Sequence, residues 1–143
     1  VIIRGPSGSG KTTAARSIAG QQKTIRRHFV HLEADMFYTC LDGSYKFDPA
    51  LLGKAHKWCQ LNVEQAMIAG YETIVVSNTS MTLKELNPYL EMAEMYNYRK
   101  EIVHTPMPWD ADILFERNVH NVPMEVLKKQ IAKYQPHPLE KPI

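Results

Sequence analysis

A chain of 143 residues has room for one compact domain around one continuous core. Hydrophobic residues make up 44% and charged residues 22%, which excludes a disordered or collagen-like chain, and no apolar run approaches the length of a membrane span. Seventeen Lys and Arg against fifteen Asp and Glu leave a net charge of +2, which permits contact with nucleic acid without demanding it.

Val1 to Arg4 reads as the remnant of a first strand, and the absence of an initiator methionine reads as a trimmed or partly observed protein. A glycine-rich turn leads into a helix from about Lys11 to Gly20. The basic run Lys23 to His28 reads as a solvated loop. Phe29 to Glu33 is a second short strand, and Met36 to Asp48, aromatic, polar and glycine-containing, reads as a surface loop. Asp48 then supplies an N-cap and Pro49 the first position of a long helix. Leu51, Ala55, Trp58, Val63 and Ala66 recur along it at helical spacing, and Gly70 ends it. Glu72 to Ser77 is a third strand, β-branched and buried in character.

Thr82 with Glu85 predicts a capping box for a helix that runs to about Asn97. Arg99 to His104 is a fourth strand. Two short helices, Asp110 to Asn118 and Pro123 to Tyr134, and a proline-rich tail complete the chain. The alternation of strands and helices with short links is that of an α/β protein with a parallel sheet. Cys40 and Cys59 have neither metal-ligand spacing nor the density of a secreted scaffold. They read as reduced thiols in a cytoplasmic compartment.

Gly5-Pro6-Ser7-Gly8-Ser9-Gly10-Lys11-Thr12 fits G-x-x-x-x-G-K-[ST] in full, between an apolar strand and an alanine-rich helix. Glycines let main-chain N–H groups wrap phosphate oxygens, and the helix directs its positive dipole end at the same anion. The candidate nucleotide-binding residues are therefore Gly5, Ser7, Gly8, Ser9, Gly10, Lys11, Thr12 and Thr13. Lys11 reaches the β- and γ-phosphates, and the Thr12 hydroxyl is the candidate metal ligand. ATP and Mg2+ are the expected cofactors.

A phosphate loop alone does not fix a function. The third strand runs into Ser77-Asn78 instead of the acidic residue usual in motor ATPases, and no N-K-x-D guanine-reading segment exists. Asp35 lies just past the second strand, where ligands sit in open parallel sheets. It is the candidate general base that deprotonates an acceptor hydroxyl, or else the cap of a turn. Glu33 is a weaker rival for the same role. Trp109 to Pro123 would overhang the phosphate loop. Arg117 within it is either a lid arginine that stabilises the transferring phosphoryl group or a surface partner of Asp110 or Glu116.

At these residues the chain resembles the kinase domains of the bacteriophage polynucleotide kinase type. These belong to the zeta-toxin and AAA-type group of small P-loop kinases, together with the ubiquitin-ligase-binding, polynucleotide-kinase-like proteins. The resemblance runs through GPSGSGKT, Ala34-Asp35, Tyr45-Lys46-Phe47-Asp48-Pro49 and Ala55 to Gln60. It continues through Ser77-Asn78-Thr79, Pro108-Trp109, Arg117-Asn118 and Val122-Pro123. It implies a P-loop NTPase fold over residues 1–143: an α/β domain with about four parallel strands, helices on both faces and a small helical lid over about 106–123. It also implies transfer of the ATP γ-phosphate to a hydroxyl at the 5′ end of a nucleic acid, with DNA as the acceptor partner. Lys11, Asp35 and Arg117 match the family's catalytic residues.

Two positions depart from the phage pattern. Tyr38 stands where an arginine holds the acceptor's phosphate, and Asn78 where an aspartate follows the third strand. The donor half of the site is intact and the acceptor half is rewritten. Tyr38, His56, Asn78 and His120 are the candidate acceptor-binding residues; the plainer role is anchoring the loop for Tyr38 and packing or capping for His56. Alternatives to the nucleic-acid kinase are a phage DNA-modification kinase acting on 5-hydroxymethyluracil, a small-molecule or nucleoside kinase, and an ATP-binding interaction module without transfer activity.

Overall fold

The first, third and fourth strands of the chain are rich in β-branched residues, and together with the second they assemble into one all-parallel sheet. The computed structural model describes residues 1–23 and 28–143. In chain order the strands are β1 (Ile2–Arg4), β2 (Phe29–Leu32), β3 (Thr73–Val76), β4 (Ile102–His104) and β5 (Glu140–Pro142), arranged β2-β3-β1-β4-β5. The sheet therefore has five strands among the described residues, not four. The fifth comes from the proline-rich tail, whose Glu140, Lys141 and Pro142 pair in parallel with Ile102, Val103 and His104. A parallel sheet must be covered on both faces. Helix α1 (Lys11–Lys23) brings Ala15 and Ile18 against Ile3 and Val75 on one face. Helices α2 (Leu52–Ile68) and α3 (Leu83–Met95) bury Ala55, Cys59, Val63, Leu86 and Tyr89 against Ile2, Ile74 and Val76 on the other.

Local signals act largely as expected. The Asp48 carboxylate accepts from Ala50 N at 3.0 Å, and Pro49–Leu51 forms a 3-10 turn that feeds α2. The Thr82 hydroxyl caps α3 by accepting from Glu85 N at 3.2 Å, while Glu85 turns its own carboxylate to Met81 N and to Lys133. Helices α4 (Ala111–Arg117) and α5 (Met124–Ala132) pack on each other beyond β4. The basic run Lys23 to His28 lies largely outside the described residues. Among the described residues no helix is long and apolar enough to cross a membrane.

The segment expected as a surface loop is structured at its start. Ala34–Tyr38 forms a 3-10 helix, and the Tyr38 ring is 5% exposed, packed edge-on to Phe37, Tyr45 and Phe47. An aromatic ring of this size gains more from the core than from solvent, so the turn folds inward. A single antiparallel bridge between Thr39 and Tyr45 closes the rest into a small hairpin.

Candidate active site

Strand β1 delivers the chain to the phosphate loop at the carboxyl end of the sheet, and α1 leaves from the far side of that loop. The loop is tightly enclosed. A Cβ at Gly5 would lie 2.2 Å from Thr105 Oγ1, beside the end of β4. Gly8 has φ 80°, and a Cβ there would lie 2.6 Å from the carbonyl oxygen of Leu114 in α4. Ser7 is held from α5, its N–H donating to Gln130 Oε1 at 2.9 Å and its hydroxyl accepting from Gln130 Nε2 at 3.2 Å.

Lys11 Nζ donates to the carbonyl of Pro6 at 3.0 Å, and burial pushes its pKa down to about 8 against the opposing pull of Glu33 and Asp35. Ser9 Oγ is buried with no hydrogen-bond partner among the described residues. A confined ammonium and an orphaned hydroxyl, framed by glycines, fit an anion of phosphate size. Thr12 sits in the first turn of α1 with its hydroxyl 3.4 Å from Glu33 Oε2, and Thr13 beside it is exposed.

Glu33, at the end of β2, is more deeply engaged than its sequence position suggested. Its Oε2 also accepts from Ser77 Oγ at 2.7 Å, and Ser77 Oγ lies 2.6 Å from His31 Nε2. Since the serine gives its one proton to the carboxylate, His31 donates through Nε2 to the serine oxygen. Burial lowers the His31 pKa, Glu33 opposes that shift and Arg16 adds to it. A neutral histidine thus fixes the serine, and the serine fixes the glutamate beside Thr12. The signal was available in the pairing of β2 with β3: Leu32 is in register with Val76, which sets Glu33 beside Ser77. A carboxylate at the end of the neighbouring strand thus lies beside the serine that follows β3.

Asp35 projects from the 3-10 turn with its side chain 48% exposed. Its Oδ1 accepts from Tyr45 Oη at 3.1 Å, and burial together with this carboxylate raises the Tyr45 pKa. His120, in the turn between α4 and α5, stacks on Tyr45 with centroids 4.5 Å apart and holds Nε2 3.9 Å from Asp35 Oδ2. Arg117 ends α4 and is exposed, and among the described residues it has no ion-pair partner.

The four acceptor candidates thus separate. His120 stands at Asp35. Tyr38 does not present a free face, because its ring is buried and its hydroxyl has no partner. Asn78 is 8% exposed and acts inward. Its Oδ1 accepts from Ala34 N at 2.7 Å and its Nδ2 donates to Tyr89 Oη at 3.1 Å, which pins the turn that carries Asp35. An aspartate could not make the second bond as a donor. His56 lies half-buried on α2, and no contact among the described residues joins it to the loop or to Asp35.

Arg4, at the end of β1, is fully buried. Its guanidinium donates to the carbonyls of Ser80 at 2.6 Å and Met81 at 2.9 Å, pairs with Glu140 and stacks over Tyr134. This network anchors β5 beneath the phosphate loop.

The chain is similar to known proteins in sequence and in fold. Human NEDD4-binding protein 2 is 30% identical over 138 residues, which cover 94% of this chain and 8% of that protein, so the chain spans a small fraction of its relative. Among solved structures, one of the Pnkp1/Rnl/Hen1 RNA repair complex matches with a TM-score of 0.67 at 18% identity, over 92% of this chain and 42% of the other. A gluconokinase from Sinorhizobium meliloti 1021 matches with a TM-score of 0.61 at 16% identity, over 99% and 79%. At these identities the structural likenesses are ones of fold, a parallel α/β sheet flanked by helices. The family model described as an AAA domain matches residues 1–137, and the chain belongs to that family.

Proposed function

We propose that this chain is a phosphotransferase that moves the γ-phosphoryl group of ATP to a hydroxyl of a nucleic acid, in the manner of a polynucleotide 5′-hydroxyl kinase. One observation carries the reading. An anion-binding loop and a half-exposed carboxylate share one end of the sheet, and that carboxylate has Oδ1 committed to Tyr45 and Oδ2 free of any hydrogen bond among the described residues. The family membership and the names of the neighbours, kinases and a nucleic-acid repair complex, support it.

In this reading residues 1–143 form a single domain whose segment 106–123 serves as the lid. The loop amides, Ser9 and Lys11 hold the phosphates. Thr12 and Glu33 would hold a hydrated magnesium ion, which supplies positive charge against the phosphate oxygens when bound. Asp35 Oδ2 accepts the proton of the acceptor hydroxyl. The acceptor oxygen forms a bond to the γ-phosphorus as the bridging P–O bond breaks, and ADP departs with that electron pair. Arg117, without an ion-pair partner among the described residues and at the end of a helix packed on Gly8, would neutralise the equatorial oxygens.

Labelled ATP offered with a 5′-hydroxyl oligonucleotide, hydroxymethyluracil DNA, free nucleosides, gluconate and shikimate tests the proposal. Label on the oligonucleotide supports it, and label on a small molecule alone overturns the nucleic-acid acceptor. Label on the modified base marks a DNA-modifying kinase, and no transfer to anything marks a binding module. Asp35→Asn is expected to abolish transfer while ATP affinity stays within a few-fold. Collapse of ATP binding in that variant assigns Asp35 to the metal or to the fold instead.

A further inference from the structure

Resting on that reading, we propose that His120 and Asp35 form a two-point clamp on the acceptor hydroxyl, with Tyr45 as the platform that aims both. The separation of His120 Nε2 from Asp35 Oδ2, 3.9 Å, is too long for a direct hydrogen bond. It suits one oxygen bound to both. An oxygen about 2.7 Å from the carboxylate and about 2.9 Å from the imidazole closes a triangle with an angle near 90° at that oxygen. A hydroxyl there donates its proton to Oδ2 and accepts from the Nε2–H of His120. The histidine fixes the oxygen while the aspartate takes the proton.

Three contacts hold the clamp in shape. The Tyr45 hydroxyl donates to Asp35 Oδ1 at 3.1 Å, which turns Oδ2 outward. The Tyr45 ring lies under the His120 imidazole at an interplanar angle of 32°. The His120 turn is fastened by Asn118, whose Oδ1 accepts from His120 N at 3.1 Å and whose Nδ2 donates to the carbonyl of Val122 at 2.8 Å. That turn also rests on the phosphate loop, since a Cβ at Gly8 would lie 3.5 Å from Asn118 N. One short segment thereby holds the acceptor oxygen at a fixed offset from the donor phosphates. With Tyr38 buried, His120 is also the basic side chain nearest Asp35 Oδ2 among the ion pairs described.

Two substitutions separate this role from simple packing. His120→Phe keeps the ring on Tyr45 and removes the nitrogen, whereas His120→Gln gives up the stack and keeps a donor. With the 5′-hydroxyl oligonucleotide, hydroxymethyluracil DNA and nucleosides as acceptors, His120→Phe is expected to lower acceptor kcat/KM about 10-fold, the effect of one lost hydrogen bond. His120→Gln is expected to recover to within about 3-fold of the wild type by keeping that bond. Binding of a fluorescent ATP analogue should be unchanged in both. Transfer by His120→Phe at the wild-type rate, or loss in Gln but not in Phe, overturns the clamp and leaves the kinase reading standing. A wild-type protein that transfers phosphate to none of these acceptors overturns the kinase reading, and the clamp falls with it.

Discussion

The Thr12 hydroxyl and the Glu33 carboxylate face each other at 3.4 Å across the mouth of the phosphate loop, joining the first turn of α1 to the end of β2. The gap exceeds the usual O–H···O distance of about 2.7 Å, so both oxygens keep capacity for the waters of a cation. Ser77 and His31 hold the glutamate in place from behind. A carboxylate so placed repels a bare triphosphate and welcomes a metal-bound one.

Glu33→Gln should therefore act with opposite signs in two conditions. With magnesium present, ATP affinity should fall about 10-fold, the scale of a lost outer-sphere metal contact. In chelator the affinity should hold or rise, because a negative charge beside the phosphates has gone. Calorimetric titration of ATP with and without magnesium measures both. An equal loss in the two conditions would show that Glu33 only supports the fold.

Lys11 links nucleotide binding to pH. Its pKa in the folded protein is lowered to about 8 from the free value of 10.5, because burial disfavours the ammonium. Phosphate binding requires the charged form, so ATP affinity should be full below about pH 8 and decline as the pH rises beyond it. Stability runs the other way. The unfolded chain binds more protons than the folded one between pH 8 and 10.5, so the apo protein gains stability across that window. Lys11→Met should abolish ATP binding yet raise apo stability below pH 8 by roughly 1–3 kcal/mol, measured by urea unfolding. A destabilised Lys11→Met protein would refute the strain assigned to this ammonium.

Much of this site was legible in the chain. The proposed phosphate loop and Asp35 both lie where the chain puts them, just past the carboxyl ends of β1 and β2. The capping residues Asp48 and Thr82 act locally and fall where they are expected. What escaped reading depends on contacts between distant segments. Glu33 meets Ser77 across 44 residues, and Asn78 meets Ala34 across the same separation, so neither partner is visible in a local window. Tyr38 reads as an acceptor-binding residue in the sequence because nothing local shows that its turn folds inward onto Phe47. The tail, with Pro142 inside its strand, reads as coil, yet a proline is tolerated on an edge strand such as β5.

The buried pair of Arg4 and Glu140 yields a test of the tail. Removing one partner strands a charge that two carbonyls cannot neutralise. Glu140→Ala should cost about 3–5 kcal/mol. It should also speed amide hydrogen exchange at His137, whose N–H loses its acceptor, as the Tyr134 hydroxyl does. Arg4→Met combined with Glu140→Met should recover most of that loss, because a packed apolar pair avoids the desolvation of both charges. Equilibrium unfolding of the two single variants and the double variant gives the cycle. Additive losses would mean that the two side chains support the fold independently.

Gly8 sits where two demands coincide. Its φ of 80° is costly for any residue with a side chain, and an added Cβ would meet the Leu114 carbonyl at 2.6 Å, where backbone cannot yield as a side-chain tip can. Relief of the clash must come from α4, which carries Arg117 at its end. Gly8→Ala should therefore push the segment that bears Arg117 away from the loop. The expected result is a kcat reduced at least 10-fold with an ATP affinity loss of smaller size, since in the proposed function Arg117 on α4 acts on transfer more than on ground-state binding. A distance measured between spin labels at Ser17 and Glu116 should lengthen in the variant. An unchanged distance together with a collapsed ATP affinity would place the damage in the loop itself, in the left-handed backbone that only glycine adopts without strain.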